Sequence, residues 1–132
     1  MKQRLMVVDD EPQVRELLSL YLEQRGFEVC SAASTAETLE VLDRKPVDLV
    51  VLDIGLAEED GLKLLSALKT RYKNVKVVML TGMGFVEDLL QEAQQKGADG
   101  YVSKTLPLDE LMQTITHLLK TEGMQGTMQA RL

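Results

Sequence analysis

The sequence predicts a doubly wound α/β domain, a parallel β-sheet with helices on both faces. Three observations carry this reading. Short, almost wholly apolar runs recur along the 132 residues. Stripes of apolar residues at helical spacing lie between them, and proline and glycine fall at the joints. Regular alternation of strand and helix implies parallel strands, and right-handed crossovers leave few topologies.

The first run, Leu5-Met6-Val7-Val8, is continuously apolar, as strands covered on both faces are. Pro12 suits the first turn of the helix that follows, where its missing N–H costs nothing. That helix carries the stripe Val14, Leu17, Leu18, Tyr21 and Leu22, and Gly26 stops it. A second strand is expected at Phe27 to Cys30, then a shorter helix from Ser34 to Leu42 with Ser34 as N-cap and Ala36, Leu39 and Leu42 inward. Leu49-Val50-Val51-Leu52 is the third strand, followed by the stripe Leu62, Leu65, Leu68 and Tyr72. Val75 to Leu80 is the fourth, followed by Val86, Leu89, Leu90 and Ala93, with Gly97 as the stop. Tyr101-Val102 is the fifth, followed by Leu108, Leu111, Met112, Ile115 and Leu119. Residues 121–132 hold Gly123 and Gly126 and no stripe. They are expected to be a flexible tail or the start of a linker, with the domain proper spanning 1–120.

The length suits one domain, which at roughly 100–150 residues can bury a core without disulfides. The net charge of −6 lacks the basic footprint of a domain that binds nucleic acid by itself. The single cysteine, Cys30, cannot form an internal disulfide and is expected to be a small buried hydrophobe. The N-terminus turns acidic too soon for a signal peptide. No apolar run approaches the roughly 18–20 residues of a membrane span, so a cytoplasmic location is expected.

In open α/β sheets ligands bind at the carboxyl ends of the strands. Asp9, Asp10 and Glu11 follow the first strand, Asp53 the third, Thr81 the fourth and Lys104 the fifth. A parallel sheet brings all of these to one edge. Two carboxylates about 4 Å apart repel by on the order of 4 kcal/mol at an effective dielectric of 20, so a shared proton or a hard cation is needed. Carboxylates without histidine or thiol nearby favour magnesium. A carboxylate can attack phosphorus and form an aspartyl phosphate, and that reaction depends on positioning and charge neutralisation. No G-x-x-x-x-G-K-[ST] or G-x-G-x-x-G loop offers a nucleotide site. His117, the only histidine, lies far along the chain from the acids and reads as a helix surface residue.

With these residues in place, the sequence resembles the receiver domains of two-component response regulators, of the chemotaxis-regulator kind, over Leu5 to about Lys120. The resemblance rests on Asp9-Asp10-Glu11, on Asp53 closing its apolar strand, on Asp60-Gly61, and on Thr81 and Lys104. It implies a flavodoxin-like (βα)5 three-layer sandwich with strand order 2-1-3-4-5. It implies Asp53 as phosphoacceptor and Mg2+ or Mn2+ held by Asp9, Asp10, Asp53 and the backbone carbonyl of Gly55. Thr81 and Lys104 would hold the phosphoryl group, and Tyr101 would be a switch aromatic that turns inward as Thr81 moves. The implied function is a phosphorylation-controlled signalling switch, not a turnover enzyme. A sensor histidine kinase or phosphotransfer protein would be the donor. The face made by the fourth helix, fifth strand and fifth helix would act on a partner, an output domain or a second copy of the chain, without direct contact to nucleic acid or membrane.

Two departures from the family pattern stand out. Thr105 follows Lys104 where proline is usual, and Pro107 comes two positions later. The Lys104-Thr105 bond is therefore either cis, or trans with Lys104 presented differently. The loop after Asp53 reads Leu56-Ala57-Glu58-Glu59 in place of a common Met-Pro and is expected to be more mobile. Two other functions compete with this one. One is an interaction module that is never phosphorylated. The other is a hydrolase with an aspartyl-phosphate intermediate, but Gly55 stands where such enzymes usually carry a second aspartate.

Overall fold

The computed structural model describes residues 2–55, 60–82, 87–104, 107–120 and 129–131. The chain runs β1 (Arg4–Val8), α1 (Pro12–Gln24), β2 (Glu28–Ala32), α2 (Thr35–Arg44), β3 (Leu49–Asp53), α3 (Gly61–Arg71), β4 (Lys76–Thr81), α4 (Glu87–Gln95), β5 (Gly100–Ser103), α5 (Leu108–Lys120) and β6 (Gln129–Arg131). All strand pairs are parallel, in the order β2-β1-β3-β4-β5-β6. The first five strands thus take the expected order 2-1-3-4-5. Beyond these five, residues 129–131 add a short sixth strand on the β5 edge, which no apolar pattern in so short a run announces. Residues 121–128 lie outside the described residues, as do Val86, the Leu56-Ala57-Glu58-Glu59 loop and Thr105.

Alternation along the strands sorts the core into two layers. Met6, Val8, Val50, Leu52, Val77, Met79 and Tyr101 face one cluster with Leu42 of α2, Leu65 and Leu68 of α3 and Ala93 of α4. Leu5, Val7, Leu49, Val51, Val78, Leu80 and Val102 face the other with Leu18 and Leu22 of α1 and Leu111, Ile115 and Leu118 of α5. This is why β1, β3 and β4 read as continuous apolar runs. Each fully buried aliphatic side chain contributes roughly 1.5–3 kcal/mol.

The helix ends follow the local chemistry. Pro12 opens α1, and Gly26 and Gly97 have φ of 97° and 99°, the left-handed region expected just past a helix end. The Ser34 hydroxyl accepts from the Glu37 N–H at 3.2 Å, capping α2 as expected. Asp60 caps α3 through Leu62 and Lys63. The inward face of α2 differs from expectation, since Thr38 is buried and Ala36 exposed. The Thr38 hydroxyl bonds the Ser34 carbonyl at 2.7 Å, which makes its burial tolerable. The second strand starts one residue later than expected, at Glu28. Cys30 is half-buried rather than buried, because β2 is the edge strand of the sheet.

Candidate functional site

The carboxyl edge of the sheet gathers the predicted residues. Asp9 follows β1 directly and its N–H bonds the Ala32 carbonyl of β2, so the turn is tied to two strands. Its Oδ1 accepts from the Glu11 N–H at 2.9 Å, closing the turn before Pro12. Arg15, from the first turns of α1, donates to the Asp9 carbonyl at 2.7 Å. Asp53 ends β3, and its Oδ1 accepts from the Gly55 N–H at 3.0 Å. Asp9, Asp10 and Asp53 can each offer one carboxylate oxygen to a common point, these atoms lying within 4.8 Å of one another.

Lys104 reaches into this cluster from the end of β5. Its Nζ lies 3.0 Å from Asp9 Oδ2, 3.3 Å from Asp53 Oδ2 and 3.7 Å from Glu11 Oε1. Its backbone N–H bonds the Thr81 carbonyl at 2.7 Å, which fixes β5 against β4 at the site. Thr81 and Tyr101 are fully buried, and the Thr81 side chain faces the Tyr101 hydroxyl closely enough to act on its ionisation. Asp10, Asp53, Gly55, Thr81 and Lys104 line one open cleft of about 510 Å3.

The electrostatics follow from burial. Desolvation pushes the Asp53 carboxyl above its ordinary value. The Gly55 N–H opposes this, the Asp9 charge adds to it, and Lys104 opposes it. Desolvation alone would lower the Lys104 ammonium, but Asp9 and Asp53 together outweigh it and hold its pKa above the ordinary value. Burial raises the Tyr101 phenol, and the Thr81 side chain beside it works against that. The cluster thus sets three aspartates against one ammonium, a donor set with room and charge for a hard divalent cation.

The family model for the response regulator receiver domain matches residues 5–116. The chain belongs to that family. Receiver domains are phosphorylation-controlled switches of two-component systems, and the aspartate cluster is of the kind at which they hold Mg2+. Over 119 residues the receiver is 38% identical to the TorCAD operon transcriptional regulatory protein TorR of Escherichia coli O157:H7, covering 90% of this chain and 51% of that one. It is 28% identical to sporulation initiation phosphotransferase F of Bacillus subtilis, covering 90% of this chain and 95% of that one. Among solved structures it is similar to a CheY-like receiver domain protein from Methanospirillum hungatei, with a TM-score of 0.87 and 26% identity over 96% of this chain and 100% of that one. The chain spans about half the length of TorR and 26% of the transcriptional regulatory protein GlrR of Escherichia coli.

Asp9, Asp10, Asp53, Gly55, Thr81 and Lys104 of this receiver fall on the same edge. Tyr101 stands one layer behind Thr81 instead of lining the cleft, and His117 is exposed on α5. The sequence reading missed two contributors. Glu11 has no distinct role in the sequence pattern, yet it shares the Lys104 ammonium. Arg15 was not singled out. Its place one helical turn after Glu11 on a helix starting at the site was the available signal. The Lys104-Thr105 bond lies outside the described residues. No helix among the described residues is long and apolar enough to cross a membrane.

Proposed function

We propose that this receiver accepts a phosphoryl group on Asp53 from a sensor histidine kinase or phosphotransfer protein, and passes the change to its α4–β5–α5 face. The observation that carries the reading is the position of the Asp53 carboxylate. It is buried at a strand end, yet it opens on a cleft shared with two further aspartates, Lys104 and Thr81.

In the transfer, an Asp53 oxygen forms the new O–P bond while the donor's P–N bond breaks, and the freed imidazole keeps that electron pair. The Gly55 N–H holds Asp53 Oδ1, leaving Oδ2, the oxygen beside Lys104, as the attacking atom. Lys104 neutralises the charge gathering on the phosphoryl oxygens. Thr81, at the end of β4, donates its hydroxyl to one of them. Asp9, Asp10, Asp53 and the Gly55 carbonyl are the groups suited to hold Mg2+, which supplies charge neutralisation at the same oxygens when bound. Phosphorylation adds about −1.5 to −2 charges. As Thr81 is drawn toward them, its contact with Tyr101 changes, and β5 carries that change to the output face. That face would act on a downstream partner, an output domain or a second copy.

The test is incubation with acetyl phosphate and Mg2+ and separation on a phosphate-affinity gel. A shifted band that disappears with EDTA and in Asp53→Asn is expected. No shift, or one that persists in Asp53→Asn, removes the proposal.

A further inference from the structure

The sixth strand pairs with Gly100 to Val102, and its position gives it a role of its own. Without β6, β5 would be the edge of the sheet. Gly100 to Ser103 pair with Val78 to Thr81 on one side only, and their remaining N–H and C=O groups would point outward. Such an edge is a template for pairing with another chain. A second copy presents the same edge at the same concentration, and two copies related by a two-fold axis would satisfy both edges at once. In the structure the edge is closed from within. Gln129, Ala130 and Arg131 pair parallel to Gly100, Tyr101 and Val102. The crossover is of the same β-α-β kind as the others, since α5 returns the chain to the end of the sheet where β5 begins. The new edge, β6, is only three residues long, and shortness is one way natural sheets blunt an edge.

We propose that β6 is a releasable cap on the β5 edge, which holds the receiver back from pairing with a second copy through that edge. So short a strand rests on few ladder bonds. Its register places Ala130 beside Tyr101, so the cap sits against the strand that carries the Thr81 contact. The inference concerns self-association and does not require Asp53 to be phosphorylated.

The test uses the whole chain and two variants, Gln129→Pro and Ala130→Pro. Successive strand amides point to opposite sides, so one of the two removes a ladder donor. Light scattering after size exclusion reads self-association over a concentration series. Hydrogen exchange at a dilution where all forms are monomeric reads the cap directly. The wild type is expected to be a monomer. At least one variant should self-associate about tenfold more tightly, with the β5 amides not paired to β4 exchanging about tenfold faster and those of β1 and β3 unchanged. Variants that stay monomeric throughout, or that keep wild-type exchange in β5, overturn the proposal. A wild type that is itself dimeric overturns it too, as does loss of protection in β1 and β3, because a releasable cap cannot carry the whole fold.

Discussion

The Lys104 ammonium lies nearer to Asp9 than to Asp53, at 3.0 Å against 3.3 Å. Asp9 is more deeply buried than Asp53, with a side chain 1% exposed, so it depends more on a compensating charge. Lys104 is thus a structural counterion for Asp9 before it is a ligand for anything bound at Asp53. Lys104→Met should therefore destabilise the metal-free protein, by about 1–3 kcal/mol. Saturating Mg2+ should restore most of that loss, since a cation at the aspartates replaces the missing charge. Urea unfolding with Mg2+ and with EDTA measures both. Equal loss in the two conditions would mean that Lys104 acts through packing alone.

Asp53 makes an opposite contribution, and its pH dependence has a definite sign. Its carboxyl titrates above the ordinary value of 3.8 in the folded protein, chiefly through desolvation. The folded state therefore binds the proton more tightly than the unfolded chain does. As pH rises through 3.8, the unfolded chain ionises first and stability falls, and it levels off above the folded-state pKa. Asp53→Asn should remove this penalty. At neutral pH without metal the variant should melt higher than wild type by about 3–5 °C, on the order of 1 kcal/mol. The gap should close below pH 3.8 and shrink with Mg2+, which stabilises the ionised carboxyl. Calorimetry of both proteins over pH tests this, and a variant that melts lower at neutral pH contradicts it.

Gly61 controls how closely α3 approaches the end of β3. A Cβ there would lie 2.6 Å from the Asp53 carbonyl oxygen, 2.7 Å from that of Ile54 and 2.9 Å from Ile54 Cα, all backbone atoms. Backbone cannot swing aside as a flexible side chain can. Gly61→Ala should cost about 2–3 kcal/mol and displace Asp53 from Lys104. Chemical denaturation should report the first effect, and slower labelling by acetyl phosphate the second. Unchanged stability would show that the Asp60-Gly61 turn has slack.

Much of this was legible in the sequence because sheet burial leaves a plain trace. β1, β3 and β4 are covered on both faces and read as unbroken apolar runs, and the residue that follows each run, Asp9, Asp53 or Thr81, is a residue at the site. Asp53 stood out because an acid that ends Leu49-Val50-Val51-Leu52 has no structural reason to be there. The parts that escaped depend on tertiary contact. Arg15 acts through a backbone carbonyl six residues away, and Glu11 matters only because Lys104 folds back over it. β6 is three residues with no apolar pattern, stabilised by what β5 leaves open. Cys30 looked buried because strand pattern does not say which strand is the edge.

Tyr101 joins the site to the face, and its ring and hydroxyl can be separated. The ring is 0% exposed and packs in the layer with Met79 and Ala93, while the hydroxyl meets Thr81. Tyr101→Ala removes both and should cost about 3–5 kcal/mol, the usual loss for a large buried aromatic. Tyr101→Phe keeps the ring and removes only the hydroxyl that meets Thr81, a change of about 1 kcal/mol. If the hydroxyl relays the state of Thr81, Tyr101→Phe should still be labelled on Asp53 but should lose part of the chemical-shift change that BeF3− and Mg2+ induce in β5 and α4. A Phe variant with the full wild-type response would confine Tyr101 to a packing role and move the relay to the backbone, where the 2.7 Å bond between the Lys104 N–H and the Thr81 carbonyl already links the two strands.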